Sequence, residues 1–112
     1  MTIRDLIDLK LFEVINEGEN LSRNITKPYC CDLLSVAMSS APEGCAWCTV
    51  MANLNTLAVS TLTETACVIL AQNARLDEAA LKKAAEEGIT VFGTDLPAFD
   101  AAVLIYEKLK EV

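Results

Sequence analysis

Two sets of residues in this 112-residue sequence have types and spacings that bear on chemistry: the cysteines, and the short polar side chains that follow its apolar runs. Cys30-Cys31 and Cys45-Ala46-Trp47-Cys48 offer four thiolates suited to a Zn²⁺ ion or an iron–sulfur cluster, and the second pair has the spacing of a redox dithiol. A nucleophilic redox thiol is best served at a helix N-terminus following a strand. Cys48 instead falls within an expected strand and Cys45 just before it. Residues three apart in a strand face opposite sides, and so do adjacent residues such as Cys30 and Cys31, so one ion could hardly take both members of either pair. Burial as small apolar groups is the expected role, with Cys67 heading a core strand. Five cysteines without an export signal read as reduced thiols rather than a disulfide framework.

The common catalytic arrangements lack their parts. The sequence contains no histidine, which removes Ser–His and Cys–His nucleophiles and histidine-ligated metals. Its four glycines, at 18, 44, 88 and 93, are isolated, and no Gly-Lys-Ser/Thr follows a strand, so no phosphate loop is present. Asp32 and Asp95 are candidates for a carboxylate pair in acid/base work or Mg²⁺ binding, with a capping role the main alternative for both. A non-enzyme that needs no cofactor is expected.

What remains is polar groups placed where chains of this type bind ligands. In open parallel sheets the carboxyl ends of the strands gather loops and helix N-termini, and ligands bind there. Asp32 and Ser35 follow the second expected strand, Asn53 and Asn55 the third, Gln72, Asn73 and Arg75 the fourth, Thr94 and Asp95 the fifth. Asp, Asn, Ser and Thr also cap helices and form turns in any α/β domain. Two expectations follow. Either these side chains serve the fold, or Asp32, Ser35, Asn53, Asn55, Gln72, Thr94 and Asp95 form an edge that holds a small polar ligand or a nucleotide.

The elements that would position them can be read from periodicity. A short helix is expected over residues 2–9, capped by Thr2, then strands over 11–16 and 25–31, with Pro28 hinting at an edge position for the latter. Leu33, Leu34, Ala37 and Met38 form a helical set that ends before Pro42-Glu43-Gly44. A strand over 46–51 precedes a helix over 55–62 with Leu57, Ala58, Thr61 and Leu62 on its inner face. The unbroken apolar run 67–71 predicts a central strand covered on both faces. Asp77 caps a helix that Gly88 ends, 89–92 forms a last strand, and 96–111 a last helix. Phe99, Val103 and Tyr106, widened by Ala101, Leu104 and Ile105, give that helix a stripe broad enough for two covered surfaces. Alternating strands and helices predict a three-layer α/β/α sandwich around a mostly parallel sheet of about five strands.

Composition bounds the rest. The length fits one domain, and 53% apolar residues leave a surplus expected to lie in a subunit interface, so a homodimer is expected. A net charge of −7 argues against a nucleic-acid partner. Arg4, Asp5, Asp8 and Lys10 interrupt any signal-peptide core and no run approaches membrane-spanning length, so the cytoplasm is expected and a membrane is not.

Asp32-Leu33-Leu34-Ser35, Pro42-Glu43-Gly44 with Ala46-Trp47 behind it, Asn55, Leu76-Asp77-Glu78, Glu86-Glu87-Gly88-Ile89 and Gly93-Thr94-Asp95-Leu96 occur in an order that resembles stand-alone DRTGG-domain proteins, from about Gly18 to Leu109. The resemblance implies an α/β sandwich similar to the N-terminal domain of HPr kinase/phosphorylase, without its kinase site. Similar domains accompany CBS domains in pyrophosphatases regulated by adenine nucleotides, and single-domain members are often encoded near hydrogenase or redox-complex genes. The resemblance therefore implies a regulatory domain that senses a nucleotide or other phosphorylated metabolite, or an interaction module for a redox-enzyme complex. The name-giving Asp-Arg-Thr-Gly-Gly string is absent, and Gln72-Asn73-Ala74-Arg75 stands in its region.

Overall fold

The computed structural model describes residues 1–111. Its elements run α1 (Ile3–Leu9), β1 (Glu13–Asn16), β2 (Pro28–Cys30), α2 (Leu34–Ser40), β3 (Ala46–Thr49), α3 (Leu54–Thr63), β4 (Cys67–Leu70), α4 (Glu78–Glu87), β5 (Val91–Gly93) and α5 (Ala98–Lys110). The sheet order is β1-β5-β4-β3-β2, parallel from β2 to β5, with β1 antiparallel at the edge. Among the described residues no helix is long and apolar enough to cross a membrane.

Strand alternation splits the core into two halves. Ala46, Cys48, Cys67, Ile69 and Phe92 face α1 and α5, where they meet Ile3, Leu6, Ala101 and Ile105. Trp47, Val68, Leu70 and Val91 face α2, α3 and α4, meeting Ala37, Leu57, Ala80 and Ala84. The result is the expected three-layer sandwich, with β4 at the centre and Cys67 to Leu70 wholly buried. Pro28 opens the edge strand β2, where its missing N–H breaks no ladder inside the sheet.

Helix boundaries follow local chemistry. Thr2 and Asp5 form a reciprocal capping box on α1, and Asp77 accepts from the Ala80 N–H to start α4. Gly88 ends α4 at φ +68, and the chain passes so close to Gly18 that a Cβ there would collide with the backbone of Gly88 and Ile89.

Four sequence expectations are corrected. β1 starts at Glu13 rather than at residue 11, because Phe12 turns into the core and meets Phe92 edge-on at 6.2 Å. β2 keeps three of the residues expected at 25–31, and Ile25 is buried beside α1 instead. The buried face of α3 is Thr56, Leu57, Val59 and Ser60, while Ala58 and Thr61 are exposed and Leu62 is 69% exposed. The Thr56 hydroxyl donates to the Met51 carbonyl at 2.7 Å, and Ser60 pairs with Thr65, so satisfied hydroxyls occupy places expected for aliphatic groups. On α5 the sheet is met by Ala101, Ala102 and Ile105. Phe99 and Tyr106 are left outside, Tyr106 with the Lys110 ammonium 4.7 Å above its ring.

Candidate functional site

The order of the parallel strands decides what the carboxyl edge of the sheet can look like. From β2 to β5 the chain adds each strand on the same side of the last, and α2, α3 and α4 all lie on one face. Ligand crevices in doubly wound sheets open where strand order reverses, since neighbouring connections there leave on opposite faces. Between β2 and β5 the strand order does not reverse, but α4 leaves β4 on one face and α5 leaves β5 on the other, so the connections part at the carboxyl ends of β4 and β5.

Three of the seven expected side chains, Asp32, Asn53 and Thr94, are engaged with the fold. Oδ1 of Asp32 accepts from the buried Thr49 hydroxyl at 2.7 Å and from the Val50 N–H at 2.9 Å, closing the ends of β2 and β3 together. Oδ1 of Asn53 accepts from the N–H groups of Asn55 and Thr56, the cap of α3. Oγ1 of Thr94 accepts from the Leu96 N–H at 3.2 Å. Gln72 and its neighbour Asn73 both take the left-handed conformation, φ 53 and 59, in a tight turn after β4. Their N–H groups donate to the Leu96 and Thr94 carbonyls, so the β4–α4 and β5–α5 loops are tied together.

The seven expected contacts therefore do not form one surface. Thr94 and Asp95 line an open recess of about 300 Å³ with Leu11, Phe12, Glu13, Asn73 and Gly93. Glu13 there also pairs with Arg75 at 2.6 Å. Ser35 and Asn55 line a different depression of about 450 Å³, the groove between α2 and α3, with Leu34, Met38, Ala58, Val59 and Leu62. Glu13 in the recess and the aliphatic groove were not singled out in the sequence. Glu13 belongs to an antiparallel strand whose place beside β5 periodicity cannot show, and the groove depends on the rotation of α3 set by its buried hydroxyls.

The cysteines are all free thiols. Cys45 packs on the α2–α4 side and Cys48 on the α5 side, so the Cys45–Cys48 spacing spans the sheet, as alternation predicts. Among the described residues no three His, Cys, Asp or Glu side chains gather as for a metal ion. Burial pushes the Cys45 thiol up to about 11 and raises Cys67 further. Trp47 is fully buried and its indole N–H donates to the Cys31 carbonyl at 3.0 Å. Tyr29 is raised by its burial and by hydrogen bonding with Cys31.

The groove between α2 and α3 has a property that no other helix surface among the described residues shares. Neither helix contains an Asp, Glu, Lys or Arg, and between Leu33 and Thr63 Glu43 is the sole charged residue, in a chain of net charge −7. Leu33, Val36, Met38, Leu54 and Leu62 all stand exposed on or next to these two helices, and Met38 and Leu62 line the groove itself. In comparison with known proteins, no family model matches the chain and no curated protein matches it, so its own geometry carries the functional reading.

Proposed function

We propose that the chain is a non-catalytic regulatory domain of the cytoplasm that works as a homodimer, joined through the uncharged faces of α2 and α3. The observation that carries this reading is the coincidence of exposed Val36, Met38, Leu54 and Leu62 with two helices free of charge. A two-fold contact sets each surface against itself, and a protein of net charge −7 can do so with least repulsion where it carries no charge. A standard interface covers about 800 Å² per partner. Large exposed apolar patches mark such contacts.

The signal in this reading is a small polar ligand held in the recess of Glu13, Asn73, Thr94 and Asp95. Its carboxylates suit a ligand rich in donors, or a phosphorylated one brought with a cation. Membership of the DRTGG-type regulatory domains belongs to the same proposal, and the mostly parallel α/β sandwich agrees with it. Service to a redox-enzyme complex would use the same apolar face.

Sedimentation velocity at tens of micromolar tests the assembly. Wild type is expected to run as a dimer, and Met38→Glu with Leu62→Glu as a monomer of unchanged helical circular dichroism; a monomeric wild type overturns the proposal. For the ligand, a thermal-shift screen of nucleotides and phosphorylated metabolites, with and without Mg²⁺, should yield a compound that raises Tm for wild type but not for Asp95→Asn. No shift at millimolar concentration removes that arm and leaves the dimer standing.

A further inference from the structure

Cys30 and Cys48 are residues far apart in sequence that the sheet sets side by side. They are register partners on the adjacent parallel strands β2 and β3. Neighbouring strands lie about 4.8 Å apart, within the Cα separation of about 4.4–6.8 Å that a disulfide spans. Both sulfurs are on the same face. Cys48 packs in the half-core that contains Ala101 and Ile105 of α5, and the Cys30 thiol points at the first turn of that helix, 3.6 Å from the Ala98 carbonyl. The two differ in access, since Cys30 is exposed and Cys48 is wholly buried. This is the layout of an attacking thiol with a resolving thiol behind it.

From this juxtaposition we infer that Cys30 and Cys48 are a peroxide-oxidised dithiol, a reversible modification site at the mouth of the β2–β3 ladder. The chemistry balances within the pair and its oxidant. The Cys30 thiolate attacks one oxygen of hydrogen peroxide, the O–O bond breaks, Cys30 becomes a sulfenic acid and the departing hydroxide takes a proton from solvent. The Cys48 sulfur then attacks the Cys30 sulfur, the S–O bond breaks, and the Cys48 proton leaves with the hydroxide as water. Two thiols are oxidised to one disulfide and one peroxide is reduced to two waters.

The electrostatics of Cys30 favour its place as the attacking group. The Cys48 thiol beside it hydrogen-bonds to its thiolate and lowers it to about 7, against the opposing effects of partial burial and of the Asp32 carboxylate. The same contact, together with burial, drives Cys48 up, which keeps it protonated until Cys30 has been oxidised. Cys31, next in sequence, faces the other half-core and bonds to the Leu33 carbonyl, so it does not compete for the same partner.

The test treats wild-type protein with hydrogen peroxide, blocks the remaining thiols and maps cross-links by digestion and mass spectrometry. The expected product is a chain lighter by two hydrogens, with a Cys30–Cys48 peptide pair and no disulfide between chains, restored by dithiothreitol. In Cys48→Ala, oxidised Cys30 should instead be trapped by dimedone as a sulfenic acid. Alkylation of Cys30 by iodoacetamide at pH 7 should be about fivefold slower in that variant, given the partial loss of nucleophilicity that accompanies a lowered pKa. Circular dichroism establishes that the variant is folded. A cross-link from Cys30 to Cys31, a disulfide between chains, or a wild type that keeps all five thiols under peroxide overturns the inference, and each of these can be read without any variant.

Discussion

Asp32 shows how one carboxylate can carry structure from the position where a ligand group was expected. It joins the ends of two neighbouring strands through the Thr49 hydroxyl and the Val50 N–H. Thr49 is fully buried, so removing its acceptor leaves a desolvated hydroxyl without its bond. Asp32→Ala is expected to cost about 1–3 kcal/mol, seen as a lower urea midpoint with unchanged slope, and Asp32→Asn, which keeps the acceptor oxygen, to recover most of it. A loss below a few tenths of a kcal/mol would show that the carboxylate is available to a ligand after all. Sequence placed Asp32, Asn53, Thr94 and Asp95 at strand ends, and there they are. Their partners were illegible, since the Asp32 contact joins residues 17 apart whose meeting depends on the β2–β3 register.

At the scale of the elements, legibility followed the strength of local signals. The bounds of α4 are written in Asp77 and Gly88, and the central strand in the run from Cys67 to Ala71. The face of α3 is hidden from the sequence because Thr56 and Ser60 look like surface residues until Met51 and Thr65 supply their partners. The end of α3 is unusual in another way. Its C-cap is Glu64, left-handed at φ 58, a conformation that helix ends usually give to glycine. The Glu64 carbonyl accepts from Arg23 and from the Gly44 N–H, and glycine would keep both bonds. Glu64→Gly is therefore expected to stabilise the protein by about 0.5–1 kcal/mol, measured by urea denaturation, relief of left-handed strain outweighing the added chain entropy. A destabilisation of that size would mean the Glu64 side chain contributes contacts of its own.

For the molecule as a whole, charge is segregated. Residues from Leu33 to Thr63 carry one charge, and the remaining 24 charged residues of the 25 in the sequence lie in the flanking segments that build α1, β1, α4 and α5. Two copies meeting through α2 and α3 still repel at longer range, and that repulsion is screened within about 10 Å at 0.1 M salt. The dimer is expected to tighten as NaCl rises from about 0.05 to 0.5 M, because apolar contact is retained while repulsion fades. Sedimentation equilibrium measures this; weakening with salt would place ion pairs in the interface and move it off α2 and α3. The fold class was open to sequence because βα alternation fixes it. Strand order was not, since β1 could have flanked either edge.

Trp47 is the single tryptophan, enclosed on the central layer and tied by its indole N–H to the carbonyl of Cys31. Its fluorescence therefore reports on the junction where β2 gives way to α2, and not on the molecule in general. Blue-shifted emission marks that junction as closed, and a shift to the red that comes before the loss of helical signal would time its opening ahead of global unfolding.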